Sequence, residues 1–105
     1  MAKLVRDNIV QIIKNSGKKP IYRVCSSKVE KRSLLLDKLQ EETDEVKSAK
    51  TDAEVLEELA DVYEVLLGLA SSHGFTEIDL YARAKKKRAE RGGFEKGHVL
   101  LKVEE

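Results

Sequence analysis

Twice in quick succession the sequence places a serine or threonine three residues ahead of a glutamate, at Ser27-Lys28-Val29-Glu30 and Thr51-Asp52-Ala53-Glu54. A long run of helical apolar periodicity follows each. This is capping-box spacing: hydroxyl and carboxylate satisfy backbone N–H groups that the first helical turn leaves free. The first signal predicts a helix running to about Ala49, and the second a helix that Gly74 terminates after Ser72-His73. Only a few residues near Lys50 separate them, so the two helices should pack antiparallel. A chain of 105 residues organised around such a hairpin reads as a single domain, 1–105, with a modest core. Oligomerisation is an ordinary source of further burial for a chain of this size.

The flanks complete an all-α reading. Ile9, Ile12 and Ile13 mark a short helix within residues 7–16, ended by Gly17. Thr76 caps a fourth helix from Glu77 to about Glu90, ending at Arg91-Gly92-Gly93. IYRVC (Ile21–Cys25) and the tail HVLLKVE have strand character, and each is the other's most economical partner. The predicted fold is therefore a helical bundle of about four helices, with a small two-stranded ribbon joining the chain ends.

No apolar run is long enough to cross a membrane, and MAKLVRDN lacks the apolar segment of a signal peptide. Cys25 has no second cysteine to pair with and is most simply a small core residue; a cytoplasmic location is the default. The net charge of +1 conceals an asymmetry: Glu41 to Glu64 carries a local charge of −8, Arg83 to Lys96 one of +5. Opposite patches can simply pair across a fold, but a site holding both a cation and a polyanion needs the same separation.

Around the axis of the second helix, Leu35, Leu39, Val46 and Ala49 form one buried stripe. Glu42 lies inside it, Glu45 at its edge, and Glu41 and Asp44 further out. A carboxylate in an apolar stripe is costly unless something pairs with it. On the third helix Val55, Leu56, Leu59, Ala60, Val62, Tyr63, Leu66, Leu67, Leu69 and Ala70 cover a wide apolar arc, with Tyr63 read as core. Glu54, Glu57, Glu58, Asp61 and Glu64 take the remainder; alone, that is an ordinary solvated acidic face. The pair of helices says more. Glu42 and Glu45 are i, i+3 neighbours, as are Glu58 and Asp61, and across an antiparallel hairpin the two pairs converge. A divalent cation would remove their mutual repulsion, and all-oxygen ligation favours Mg²⁺, with Mn²⁺ as the alternative. Neither His73 nor His98 stands in the E-x-x-H relation that a di-iron bundle uses.

Glu41-Glu42-Thr43-Asp44-Glu45, the spacer 46–57, and Glu58-Leu59-Ala60-Asp61 resemble the E-E-x-x-E…E-x-x-D hallmark of the all-α nucleoside triphosphate pyrophosphohydrolases. This MazG-like group includes phosphoribosyl-ATP pyrophosphohydrolase. The opening KLVRDNIVQII and the closing RGGFEKGHVLL are similar to a small branch of house-cleaning or phosphoribosyl-ATP-pyrophosphohydrolase-like proteins. The resemblance implies that Glu42, Glu45, Glu58 and Asp61 hold Mg²⁺. Glu41 would orient them, bind a further ion or activate water, so Glu41 and Glu42 are the expected catalytic carboxylates. It also implies hydrolysis of a nucleoside triphosphate to monophosphate and pyrophosphate, by a homo-oligomer (dimer or tetramer) with sites near the subunit interface. Lys38 and cations late in the fourth helix, among them Lys86, Lys87 and Arg91, would meet phosphate, and Phe94 beside the double glycine is a candidate base contact. Phosphoribosyl-ATP itself ranks lower as substrate, because the likeness to the dedicated enzyme is confined to the acidic scaffold.

Two rival readings use the same residues. The basic run Ala82–Arg88 could dock on a nucleic-acid backbone. Near-neutral net charge, the lack of a recognition motif and an unexplained Glu42 weigh against that. A member of the group that binds nucleotide without turnover is the other, against which the complete acidic set argues.

Overall fold

A computed structural model describes residues 2–105. It contains four helices: α1 (Ile9–Asn15), α2 (Lys28–Ser48), α3 (Asp52–Ser72) and α4 (Glu77–Arg91). The expected caps form, with one variation. Ser27 Oγ accepts the Glu30 N–H and Thr51 Oγ1 the Glu54 N–H, but the glutamates reach one residue further back. Glu30 accepts the Ser26 N–H at 2.8 Å and Glu54 the Lys50 N–H at 2.9 Å. Only α4 closes the reciprocal box, between Thr76 and Asp79. At the end of α3 the Gly74 and Phe75 N–H groups bond back to Ser71 and Ala70. This is a Schellman-type stop whose geometry uses the positive φ (84°) of Gly74.

α2 and α3 run antiparallel, and three close approaches mark their register. The Arg32 guanidinium donates to the Ser72 carbonyl at the C-terminus of α3, where the helix end is negative. Gly68 lets the backbones close at mid-helix: a Cβ there would lie 3.1 Å from Leu35 Cδ2. Near the turn, Glu42 faces Glu58 and Asp61. Leu35, Glu42 and Val65 are buried, while Leu39, Val46 and Ala49 are half-buried, so the α2 stripe is the face that packs.

The apolar arc of α3 is covered on one side only. Val55, Val62, Leu67, Leu69 and Ala70 are partly or more shielded, whereas Leu56, Leu59, Tyr63 and Leu66 stay exposed. Tyr63 is therefore not core; its ring is half open to solvent and its hydroxyl donates to the Glu77 carboxylate. α4 lies against the C-terminal part of α3, and the molecule is elongated, 62 × 35 × 24 Å.

The predicted ribbon is the main correction to the fold. Among the described residues there is no strand: Ile21–Cys25 and the tail do not pair. Two short strands are marginal unless something packs on them. Here Ile21, Val24, Val99, Leu100 and Leu101 are all largely exposed. Cys25 is partly buried and free.

Candidate metal centre

The site lies at the turn end of the α2–α3 hairpin. Glu42, which is 8% exposed, enters from the apolar stripe of α2. Glu58 and Asp61, one helical turn apart and half-buried, enter from α3. One carboxylate oxygen from each of the three lies within 4.8 Å of the others. Opposed ligands of an octahedral Mg²⁺ are about 4.2 Å apart, and those of Ca²⁺ about 4.6–5.2 Å. Three oxygens within 4.8 Å of one another can therefore share one such ion. The donor set is all carboxylate oxygen, which suits a hard divalent cation rather than zinc or copper.

The remaining acids of the two motifs are placed differently. Glu45 is exposed and outside this cluster, although near enough to act on it electrostatically. Glu41 is half-buried and also outside this cluster, between Lys38 Nζ at 3.6 Å and Lys3 Nζ at 3.4 Å. Lys38 also lies 3.5 Å from Glu42 Oε1, so a single ammonium bridges both carboxylates.

Two titration shifts report the local field. The Glu58 carboxyl is pushed above its ordinary value, first by partial withdrawal from water, then by the negative charges of Glu45, Asp61, Glu42 and Glu54. Burial also acts upward on Glu41, but the ammonium groups of Lys38 and Lys3 outweigh it, and its net shift is downward. Negative charge is thus left uncompensated at Glu58 and balanced at Glu41.

Sequence reasoning missed the cations of the N-terminal segment. Arg6 Nη2 donates to Asp61 Oδ1 at 2.7 Å, and Lys3 reaches Glu41. Both residues stand in KLVRDN, outside any helix, so no periodicity connects them to the cluster. The α4 cations are not brought to the acids: Lys86 borders a groove between α3 and α4, and Lys86, Lys87 and Arg91 make no ion pair with a described residue. Phe94 is 97% exposed.

Neither a curated protein nor a solved structure matches the chain. A family model does: that of phosphoribosyl-ATP pyrophosphohydrolase, over residues 11–88. The match spans α2, α3 and most of α4, about three quarters of the chain, and includes every acid of the cluster. A pyrophosphohydrolase cleaves a phosphoric anhydride, a reaction in which carboxylate-held metal and nearby cations have an evident use. The chain belongs to the phosphoribosyl-ATP pyrophosphohydrolase family and is accordingly a hydrolase acting on acid anhydrides, a nucleotide pyrophosphohydrolase.

Proposed function

We propose that the chain hydrolyses a nucleoside triphosphate between its α- and β-phosphates, in a Mg²⁺-dependent reaction that yields the monophosphate and pyrophosphate. The observation that carries this reading is Glu42: a carboxylate buried in a packing stripe, facing Glu58 and Asp61, with Lys38 as its nearest cation. A purely structural helix pair would place a leucine there. Glu42, Glu58 and Asp61 would hold the ion, and Glu45 could join them by a rotamer change from its exposed position on the same helix face.

A bound divalent cation would supply charge neutralisation for the phosphates and a lowered pKa for water. The chain's own groups do the rest. In this reading Glu41, held ionised by Lys38 and Lys3, would accept a proton from the attacking water or orient it. One water oxygen bonds to phosphorus, the bridging P–O bond breaks, pyrophosphate leaves, and a proton is released. Lys38 can stabilise charge on phosphate oxygens, with Lys86, Lys87, Arg91 and Phe94 as further candidate contacts from α4 and the segment after it.

Phosphoribosyl-ATP, the substrate in the family's name, and non-standard nucleoside triphosphates of a house-cleaning role share the anhydride to be cleaved. A homo-oligomer, dimer or tetramer, fits the open apolar side of α3. A cytoplasmic setting agrees with the single free cysteine; no helix of the described residues is long and apolar enough to cross a membrane.

The test is a panel of standard and modified nucleoside triphosphates and phosphoribosyl-ATP, incubated with Mg²⁺, Mn²⁺ or EDTA, with Glu58→Gln in parallel. Pyrophosphate release that needs the metal and disappears in Glu58→Gln is the expected result. Orthophosphate as first product, or undiminished turnover in EDTA, would overturn the reading.

A further inference from the structure

Residues 2–8 form no helix or strand, yet they set two cations on the acidic site. Arg6 reaches Asp61 and Lys3 reaches Glu41, at 2.7 and 3.4 Å. Both side chains are more than half exposed, so the pairs are weak and readily exchanged. Lys3 and Arg6 also line an open groove of about 810 Å³ between the N-terminal segment and residues 21–34. Arg23, Lys28 and Lys31 border the same groove, and Asp7 is the one acid in its lining among the described residues. Arg23 is occupied by Glu30, whereas Lys28 and Lys31 make no ion pair with a described residue. Lys3 and Arg6 thus stand at a boundary, with the carboxylates on one side and, on the other, a largely apolar groove bordered by further cations.

We infer that Arg6, backed by Lys3, is an exchangeable cation: it neutralises Asp61 while no metal is bound, and turns to a phosphate oxygen of the substrate when Asp61 is engaged by a divalent cation. This rests on the metal-dependent reading above and adds to it a phosphate-binding residue outside the helices. A guanidinium keeps its proton throughout, and its planar fork suits carboxylate and phosphate equally. A divalent charge at Asp61 would weaken its hold on Arg6, and a polyphosphate arriving beside the cluster offers the replacement. By linkage, the metal and the polyphosphate then favour one another's binding through this residue.

The experiment uses the full-length chain, wild type, Arg6→Gln and Arg6→Lys. Mn²⁺ alone is titrated first, with free ion read by electron paramagnetic resonance. Inorganic triphosphate, which carries no base, is then titrated at saturating Mn²⁺ by calorimetry. Arg6→Gln should bind Mn²⁺ about threefold to fivefold more tightly, because no guanidinium competes for Asp61. It should bind inorganic triphosphate about tenfold more weakly, because a charge-assisted contact is gone. Arg6→Lys should stay closer to wild type in both. The opposite signs are the signature, since a loss of fold would weaken both, and circular dichroism checks the helices directly. Mn²⁺ binding that is unchanged or weaker in Arg6→Gln overturns the neutralising role, and unchanged triphosphate affinity overturns the exchange. If the wild-type chain binds no Mn²⁺, the metal reading itself fails and takes this inference with it.

Discussion

Glu42→Gln separates a metal site from a structural ion pair, because the two readings give stability changes of opposite sign. The substitution keeps size and shape and removes one charge. Glu42 has two like charges, Glu58 and Asp61, within 4.8 Å and one opposite charge, Lys38, at 3.5 Å. At 4.8 Å each repulsion is about 0.9 kcal/mol at the dielectric of water and about 3.5 kcal/mol at an effective dielectric of 20. The attraction to Lys38 runs from about 1.2 to about 4.7 kcal/mol over the same range. The difference favours the amide by about 0.5–2 kcal/mol, and Lys38 keeps Glu41 as a partner at 3.6 Å. For a domain of this size that is a rise in Tm of about 3 °C or more in EDTA. Mn²⁺ should raise the Tm of the wild type through ligand linkage and leave Glu42→Gln nearly unmoved. The assay is thermal unfolding by circular dichroism at one protein concentration, with EDTA and with Mn²⁺. A Glu42→Gln variant less stable than wild type in EDTA, with an intact response to Mn²⁺, would refute the argument: the carboxylate would then be held for its pair with Lys38.

Other parts of the structure make predictions of their own. Gly68→Leu should destabilise by about 1–3 kcal/mol in urea titration despite the better helix propensity of leucine, because even a Cβ there would sit 3.1 Å from the buried Leu35 side chain. Leu59→Glu tests the oligomer proposed for the open side of α3: a wild-type chain that light scattering finds above monomer mass should fall toward it in the variant while α2–α3 helicity persists, and a monomeric wild type, or an unchanged mass, would refute that use of the face. Glu30 is held at about 2 by the bidentate Arg23 guanidinium and then by the Ser26 N–H, against an ordinary 4.5. Its folded value is depressed, so the stability it contributes is present above pH 4.5 and is lost as pH falls toward 2. Arg23→Ala should flatten that acid limb in a pH series of urea midpoints.

The helices were readable because their determinants are local. Ser27, Thr51 and Thr76 cap the turns they begin, and Gly74 takes the positive φ that ends α3; each effect operates within a few residues. The position of Glu42 was readable for a similar reason. Helical periodicity fixes angle as well as secondary structure, so a carboxylate between Leu39 and Val46 must lie on the packing face. With a turn of a few residues, antiparallel pairing of α2 and α3 followed, and with it the meeting of Glu42 with Glu58 and Asp61.

Periodicity says nothing about segments that have none. The ribbon expected between Ile21–Cys25 and the tail depended on long-range strand pairing, which local sequence cannot enforce, and the described residues do not form it. Helical angle put Glu45 at the stripe's edge, but only the packing of α3 decided that its carboxylate would stay in solvent while Glu58 and Asp61 turned inward. Likewise α3 carries an apolar arc wider than one neighbour can cover, and α2 took Val65 while leaving Leu59 and Tyr63 open. The sequence by itself determined the hairpin and the acids it aims at one another, through hydrogen bonds and angles that act over a turn or two. Lys38 meets Glu41 and Glu42 within its own helix, but tertiary structure alone decided which cations from elsewhere in the chain meet those acids. Arg6 and Asp61 are 55 residues apart, and only the path of the folded chain brings a guanidinium from one to the carboxylate of the other.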